Sequence, residues 1–317
     1  AVRWADILIM GGGPLMHITP MFMVEHAFKV AKKKRKKTII CGCGVGPIFS
    51  NKYKKTLISI IDNSDLVILR DKISRETLYS IYDSCGKKLK ASVFTGFDPA
   101  VECVLIYNEL KNKNKFPGPA GWTEREDVVC INLREFPGEY SRQKIKNKVD
   151  NVLKQFVHRL SSVHSDKLIY LLPMHYFHIG TDDRYFLNKI YFAAAPENKN
   201  IVVQNKPLSL LDTLHAYASA SINIGMRFHS VVFQTLLKGN NYILDYTEPD
   251  KGKIFGFIND IDDSNFYYNR MVSLHDQSLD LEKFATEIYS GSRCQFDHNK
   301  IIKNLNVYPS KLQDLFR

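Results

Sequence analysis

The chain contains 317 residues, of which 44% are hydrophobic and 24% are charged. This composition excludes a largely disordered chain, and the length allows two α/β domains that each bury a core. No apolar stretch reaches the ~20 residues that a membrane-spanning helix needs. Six dispersed cysteines exclude a small disulfide-framed domain and favour the reducing cytoplasm. A peripheral location at the inner face of the membrane is a separate expectation that depends on the basic residues described next.

The net charge of +11 indicates an anionic partner or a basic surface. The run from Lys32 to Lys37 carries much of this charge and follows an amphipathic helix. One interpretation is that these cations complement the negative end of the helix dipole. The alternative is peripheral contact with an anionic membrane beside a lipid-linked sugar. We do not expect nucleic acid as a partner, because no helix-turn-helix, RNP or zinc-finger pattern accompanies the run.

The first third of the chain alternates short apolar strands with amphipathic helices. Thr19 and Pro20 are typical of a helix cap followed by a first-turn proline, and residues 7–10 are expected to form a buried strand. The predicted strands are 7–10, 38–41, 66–69 and 92–95, and the predicted helices are 21–33, 52–62 and 71–84.

A second alternating series follows residues 112–121, which are rich in Asn, Lys, Pro and Gly and are predicted to be a linker. The predicted strands are 128–133, 168–172, 201–203, 221–224 and 242–245, and the predicted helices are 143–162, 183–193, 208–219 and 229–238. Such alternation favours parallel sheets with helical crossovers.

The sequence therefore predicts an α/β fold with two Rossmann-like domains facing a central cleft, as in GT-B enzymes. We expect an N-terminal domain at 1–115 and a C-terminal domain at 125–317, with the last helix crossing back. The chain begins with Ala1 and runs directly into a strand, with no signal-peptide pattern. We expect that an N-terminal portion with the first βα units precedes it.

Residues 225–230 form the clearest candidate site, since a strand ends, a tight turn follows and a helix begins. Free N–H groups at such a helix start suit a phosphate or carboxylate. Arg227 and His229 carry cationic or protonatable groups at an end where a cation is unfavourable unless an anion is bound. Pairing of Arg227 with a nearby carboxylate, with His229 as a capping side chain, explains the pattern equally well.

Other candidate ligands also follow predicted strands. Arg134 is placed at the start of the second domain, and Lys253 follows the loop after the last predicted strand. His175 and His178 could bind a metal with Asp182 and Asp183, but sugar contact is the favoured interpretation. The remaining candidates are Arg70, for which an ion pair is the alternative, and the loop glycines Gly12, Gly13, Gly44 and Gly46.

Six segments that follow strands or begin helices stand out in chain order: 6–13, 42–47, 69–74, 95–100, 172–174 and 225–230. Their residues and order resemble those of polysaccharide pyruvyl transferases, over roughly residues 5 to 260. Gly239, Asp245, Tyr246 and Lys253 extend the resemblance.

The resemblance implies a GT-B enzyme that uses phosphoenolpyruvate as donor substrate, without cofactor or metal. It implies transfer to two hydroxyls of a sugar, lipid-linked or nucleotide-linked, to form a pyruvate ketal in a cell-surface polysaccharide such as a capsule or exopolysaccharide. His229 is then expected to transfer the proton and Arg227 to bind the donor. The expected substrate-binding residues are Arg134, Lys253, Tyr246, Gly225, Arg70, Gly12, Gly13, Gly44, Gly46 and His175.

Two other functions fit parts of the pattern. A GT-B glycosyltransferase or epimerase that uses a nucleotide-sugar would share the fold and the helix-end phosphate site, and Glu248 could bind its ribose. A non-enzymatic protein that docks on a surface would depend on residues 32–37 and not on His229.

Overall fold

The computed structural model describes residues 2, 4–113, 115, 125–138, 143–178, 180–194 and 199–316. The strands are β1 Ile7–Gly11, β2 Pro14–Leu15, β3 Lys37–Val45, β4 Leu66–Leu69, β5 Val93–Thr95, β6 Arg125–Asn132, β7 Leu168–Leu171, β8 Ile201–Val203, β9 Ala220–Gly225, β10 Tyr242–Asp245 and β11 Met271–Ser273. The helices are α1 Pro20–Lys33, α2 Asn51–Asp62, α3 Lys72–Ser84, α4 Val101–Asn112, α5 Gln143–Val163, α6 Asp183–Ala194, α7 Leu210–Ser219, α8 Phe228–Lys238, α9 Lys253–Ile261, α10 Leu281–Glu287, α11 His298–Leu305 and α12 Val307–Phe316.

The chain divides into two compact units, both of which are discontinuous in sequence. Unit 1 contains Ala1–Pro99, Asn259–Ile261 and Asp297–Arg317. Unit 2 contains Ala100–Ile258 and Asp262–Phe296.

These units differ from the ranges 1–115 and 125–317 expected from the sequence. Helix α4 belongs to unit 2, where it packs against α7 and α8, so the boundary falls before this helix. Helices α11 and α12 both lie in unit 1, where the sequence analysis anticipated one returning helix. The predicted linker at 112–121 lies mostly outside the described residues.

Unit 1 is built on a parallel sheet in the order β1-β3-β4-β5, and the short β2 also pairs with β3. Strand β1 lies at the edge of this sheet, and Ile9 is 54% exposed. The prediction that residues 7–10 are buried is therefore wrong. A run of apolar residues indicates a strand but does not reveal its place in the strand order.

Apolar layers cover both faces of the unit 1 sheet. Helices α1, α2 and α3 contribute Phe28, Leu57 and Leu78 to the core on one face. Helix α12 covers the other face, where Tyr308 packs against Ile68. The C-terminal segment is therefore an integral layer of unit 1.

Unit 2 is built on a six-stranded sheet in the order β11-β10-β9-β6-β7-β8. Every pairing is parallel, so the carboxyl ends of all six strands lie at one edge. The central strands are buried, as Val129, Ile131 and Ile224 show. In sheets of this kind, ligands bind beyond the carboxyl ends of the strands.

Most predicted elements are present within two residues of their expected bounds, and the mixed α/β class with parallel sheets is confirmed. The predicted cap at Thr19 is wrong: Pro20 begins α1, but Thr19 has a helical backbone and its side chain makes no capping hydrogen bond. Helix α4 was not predicted. Among the described residues, no helix combines the length and the apolar character that crossing a membrane requires.

Candidate active site

Three adjacent strands of unit 2, β6, β9 and β10, end beside one another. The residues that follow them include Arg134, Arg227 and Tyr246. Asn132, which is fully buried, joins the end of β6 to the ends of its two neighbours, β9 and β7. Its Oδ1 accepts a hydrogen bond from the Arg227 amide at 3.0 Å, and its Nδ2 donates to the Leu172 carbonyl at 2.9 Å. The sequence analysis did not single out Asn132, because only the strand order brings these ends together.

Helix α8 begins at this edge with Arg227 as its N-cap residue, and the Arg227 side chain makes no capping hydrogen bond. The start of such a helix suits an anion, which the helix dipole also favours. Gly225 serves packing, because a Cβ there would lie 2.6 Å from the Gln234 Oε1. This glycine thus allows the close approach of α8 to β9, and its role in substrate binding stays a prediction.

Helix α9 begins nearby, with Gly252 as N-cap and Lys253 as its first residue. The Lys253 ammonium lies 5.6 Å from the centroid of the Phe228 ring and 5.7 Å from that of Tyr246. Since Phe228 is the first residue of α8, the starts of two helices are adjacent. Both helix dipoles therefore add to the positive potential at this edge.

Tyr246 is buried beside two cations. Its residue is 3% exposed, and the Arg134 guanidinium lies 5.3 Å from its ring centroid. Burial opposes ionisation of the phenol, but the charges of Lys253 and Arg134 outweigh this effect and lower the pKa of Tyr246 below its ordinary value. A lowered pKa in spite of burial indicates a positive electrostatic potential at this site.

Arg227 forms a two-pronged ion pair with Asp183. Its Nε donates to the two carboxylate oxygens at 2.9 and 2.8 Å, and its Nη2 donates to Oδ1 and to the Thr181 carbonyl. The Asp183 side chain is fully buried, whereas that of Arg227 is 16% exposed. Carboxylate pairing, one of the two interpretations of Arg227, is therefore observed. Nη1 has no hydrogen-bonding partner among the described residues.

The same carboxylate also organises the loop that carries His175. Asp183 accepts hydrogen bonds from the amides of Met174 and His175, each at 3.1 Å. It thereby fixes this loop against the start of α8. The sequence analysis considered Asp183 only as a metal ligand and missed this role, since its partner Arg227 is distant in the sequence.

His229 is the second residue of α8, and its side chain is exposed. Its ring lies 5.3 Å from that of Phe228 and 6.2 Å from that of Phe233. An exposed imidazole at the start of a helix is placed where it can exchange a proton with an anion bound there.

A pocket of about 500 Å³ opens at this edge of unit 2, a size suited to a small molecule. Arg134, Lys146 and Thr181 are among the residues that line it. Because Thr181 also accepts a hydrogen bond from Arg227, the pocket adjoins the Arg227–Asp183 pair.

In unit 1, Arg70 has a structural role. It is 5% exposed, with Nε 3.2 Å from Asp71 and Nη1 3.6 Å from Asp98. A Cβ on Gly44 would lie 2.5 Å from the Arg70 guanidinium. The ion-pair interpretation of Arg70 is therefore observed: two buried carboxylates hold the arginine, and Gly44 makes room for it. Contact of either residue with a substrate stays a prediction.

Gly12, Gly13 and Gly46 lie at the carboxyl ends of β1 and β3. All three have left-handed φ angles, of 64°, 69° and 95° respectively. A Cβ at Gly12 or Gly13 would meet no atom within 4 Å, so the backbone there is open to a ligand. These three glycines stay candidates for the acceptor side.

A group of aromatic side chains lies at the same edge of unit 1. The His17 ring stacks on Tyr53 at 3.8 Å, and its Nδ1 accepts a hydrogen bond from the Phe49 amide at 3.3 Å. Phe22 contacts Tyr53 at 4.8 Å, and Phe49 is 70% exposed. The sequence analysis found no pattern around His17; the available signal was that these rings follow strand ends or begin helices.

A metal site at His175 and His178 was expected to use the carboxylates of Asp182 and Asp183, but both carboxylates are paired with arginines. Asp182 pairs with Arg184 at 2.6 Å, and Asp183 pairs with Arg227. Within the described parts of the chain, no group of three or more His, Cys, Asp or Glu side chains could hold a metal ion.

The family model described as polysaccharide pyruvyl transferase matches residues 2–247 of the chain. A search of the curated proteins finds no match.

Solved structures of two enzyme types are similar in fold. UDP-GlcNAc 2-epimerase from Methanocaldococcus jannaschii has a TM-score of 0.58 at 13% identity, covering 97% of this chain and 77% of the epimerase. The UDP-forming α,α-trehalose-phosphate synthase from Burkholderia xenovorans, in complex with glucose-6-phosphate, has a TM-score of 0.55 at 9% identity, covering 94% and 77%. These are GT-B enzymes, so the predicted fold type is confirmed.

Proposed function

Since the chain belongs to the polysaccharide pyruvyl transferase family, we propose that it transfers a pyruvyl group from phosphoenolpyruvate to two hydroxyls of a sugar. The product would be a pyruvate ketal in a cell-surface polysaccharide. The observation that carries the choice of donor is the cluster formed by the cations Arg134 and Lys253 around Tyr246, beside the starts of α8 and α9.

Phosphoenolpyruvate has two anionic groups, a phosphate and a carboxylate. This edge of unit 2 offers two kinds of hydrogen-bond donor that can bind them. The first-turn amides of α8 and α9 suit one group. Arg134 and Lys253 suit the other through charge-assisted hydrogen bonds. We assign the donor to this edge of unit 2, with His175 in the neighbouring loop.

Arg227 offers fewer hydrogen bonds to phosphoenolpyruvate than expected from the sequence. Its Nε and Nη2 are used by Asp183 and Thr181, and the carboxylate offsets its charge. We propose that Nη1 contacts the donor, while the ion pair fixes the orientation of the guanidinium. Because the guanidinium is already oriented, it loses little conformational entropy when phosphoenolpyruvate binds.

The reaction needs a proton on the methylene carbon of phosphoenolpyruvate and stabilisation of positive charge at C2. We propose that His229 supplies this proton as general acid. One sugar hydroxyl then bonds to C2. The second hydroxyl displaces phosphate and closes the ring, and the two hydroxyl protons are returned to His229 and to the released phosphate.

We assign the acceptor sugar to the carboxyl edge of the unit 1 sheet. Gly12 and Gly13 offer open backbone there, and Gly46 follows the neighbouring strand β3 with a left-handed φ. The exposed ring of Phe49 offers an apolar surface for the C–H face of a sugar, and His17 lies behind it.

Thermal shift with phosphoenolpyruvate tests the donor assignment, with a nucleotide-sugar panel in parallel. We expect phosphoenolpyruvate to raise the melting temperature, because a ligand that binds only the folded state stabilises it. Lys253→Gln should weaken this binding by roughly tenfold or more, the usual effect of losing a charged hydrogen bond. Lys251→Gln is the matched control, since Lys251 is exposed in the same loop, and it should bind phosphoenolpyruvate like the wild type.

Stabilisation by a UDP-sugar and not by phosphoenolpyruvate would instead favour the glycosyltransferase or epimerase alternative. In that case Glu248, which is exposed after β10, would be the residue to test for ribose binding.

A further inference from the structure

The amino-terminal edge of the unit 1 sheet carries a dense group of cations. Lys32 to Lys37 connect α1 to β3, and Lys87, Lys88 and Lys90 connect α3 to β5. Since β3 and β5 belong to one parallel sheet, both connections lie at the same edge. All of these side chains are exposed except that of Lys36, which is half-buried. We call these nine residues the cationic edge.

Carboxylates offset only part of this charge. Lys32 pairs with Asp65, and Lys36 lies 3.7 Å from Asp6. Asp62 lines a surface depression together with Lys87, Lys88 and Lys90. The cationic edge therefore keeps a clear excess of positive charge, and it accounts for much of the net charge of +11.

Helix dipoles explain only a small part of this arrangement. Their effect falls off beyond the last turn, and only Lys32 and Lys33 lie in the last turn of α1. Arg35 lies beyond that helix with a left-handed φ of 53°. The last turn of α3 contains no basic residue, and Lys87 follows its end. The helix dipoles therefore leave most of the cations at this edge unexplained.

An exposed tryptophan lies at the same edge. Trp4 is 89% exposed and precedes β1, whose first residue Ile7 is paired with Lys37. Tryptophan prefers the interface between water and lipid headgroups, where its ring is partly buried and its N–H stays hydrated. An indole beside a lysine cluster is the combination that membrane surfaces select.

We propose that unit 1 docks on an anionic membrane through the cationic edge and Trp4. Eight of its nine cations are lysines, which act as hydrated point charges and suit a diffuse field of lipid headgroups. Phosphate-specific recognition would favour the planar fork of arginine. Docking at this edge leaves the opposite edge of unit 1, with Gly12, Gly13 and Phe49, open.

Vesicle co-sedimentation of the full chain tests this proposal without any need for enzymatic activity. We expect binding to vesicles that mix phosphatidylcholine with the anionic lipid phosphatidylglycerol, because a negative surface potential attracts basic segments, and none to vesicles of phosphatidylcholine alone. High salt should release the protein, since the Debye length falls to about 3 Å at 1 M.

A quadruple variant, Lys33→Gln, Lys34→Gln, Lys87→Gln and Lys88→Gln, should lose binding by more than about 100-fold, at roughly fivefold for each lysine. Trp4→Ala should weaken it further. The matched control is Lys199→Gln, Lys206→Gln, Lys283→Gln and Lys303→Gln, which removes equal charge from exposed positions elsewhere and should bind like the wild type.

Three results would overturn the proposal: equal binding to neutral vesicles, equal loss in the control variant, or absence of vesicle binding by the wild type. Binding to a duplex oligonucleotide but not to vesicles would identify nucleic acid as the partner instead.

Discussion

At the residue scale, two adjacent aspartates pair with arginines in different environments. Asp183 is fully buried and holds Arg227, together with two amides of the preceding loop. Asp182 pairs with Arg184, whose side chain is 33% exposed. The first pair is shielded from solvent at the candidate active site, whereas the second is open to screening.

Asp183→Asn should therefore destabilise the protein by about 3 kcal/mol, because it leaves a largely buried guanidinium without its counter-charge. Asp182→Asn should cost about 1 kcal/mol or less. Chemical denaturation of both variants measures the difference. Equal losses would contradict a structural role for the Arg227–Asp183 pair.

The sequence predicted where Arg227 and His229 lie but not what Arg227 contacts. A strand, a tight turn and a helix start can be recognised locally in residues 225–230. The partner Asp183 is brought there by the parallel order of β7, β6 and β9, which no local pattern encodes. The contact of Arg70 with Asp98 could not be predicted for the same reason, since it depends on the fold.

At the element scale, helix α12 completes unit 1 as the layer on one face of its sheet. The Tyr308 hydroxyl donates to the Phe97 carbonyl, and its ring lies where a Cβ on Gly96 would be only 2.9 Å away. The Tyr308 side chain therefore packs α12 against the backbone that follows β5.

Tyr308→Phe should lower the free energy of unfolding by about 1 kcal/mol, the usual cost of one hydrogen bond. Tyr308→Ala should lower it by roughly 3 kcal/mol, since a packed ring is also lost. Gln313→Ala, on the exposed side of the same helix, should change it by less than about 0.5 kcal/mol. A neutral Tyr308→Ala in urea unfolding would contradict this account of α12.

Helices and strands whose apolar residues recur at a regular spacing were predictable, and those without such a spacing were not. Helix α5 has a regular apolar stripe, whereas α4 has apolar residues on several faces, including the 48% exposed Ile106. That mixture hides the helical period of α4. The exposure of β1 could not be predicted, because edge position follows from the strand order.

At the scale of the whole molecule, the fold alone does not select the donor. Enzymes whose names include UDP-GlcNAc or UDP formation share this fold at 9–13% identity, so the fold is compatible with either donor. The order of short motifs along the chain predicted the family, which the match over residues 2–247 confirms. The donor assignment therefore depends on the chemistry of one edge of unit 2.

The most direct test measures phosphate release from phosphoenolpyruvate, in the presence of galactosides and N-acetylmannosaminides, by the wild type and by His229→Asn. Loss of a general acid typically costs 10²–10⁴-fold in rate, so we predict acceptor-dependent release by the wild type and a loss of about that size in a variant with an unchanged melting temperature. Near-normal turnover by His229→Asn would contradict the central claim.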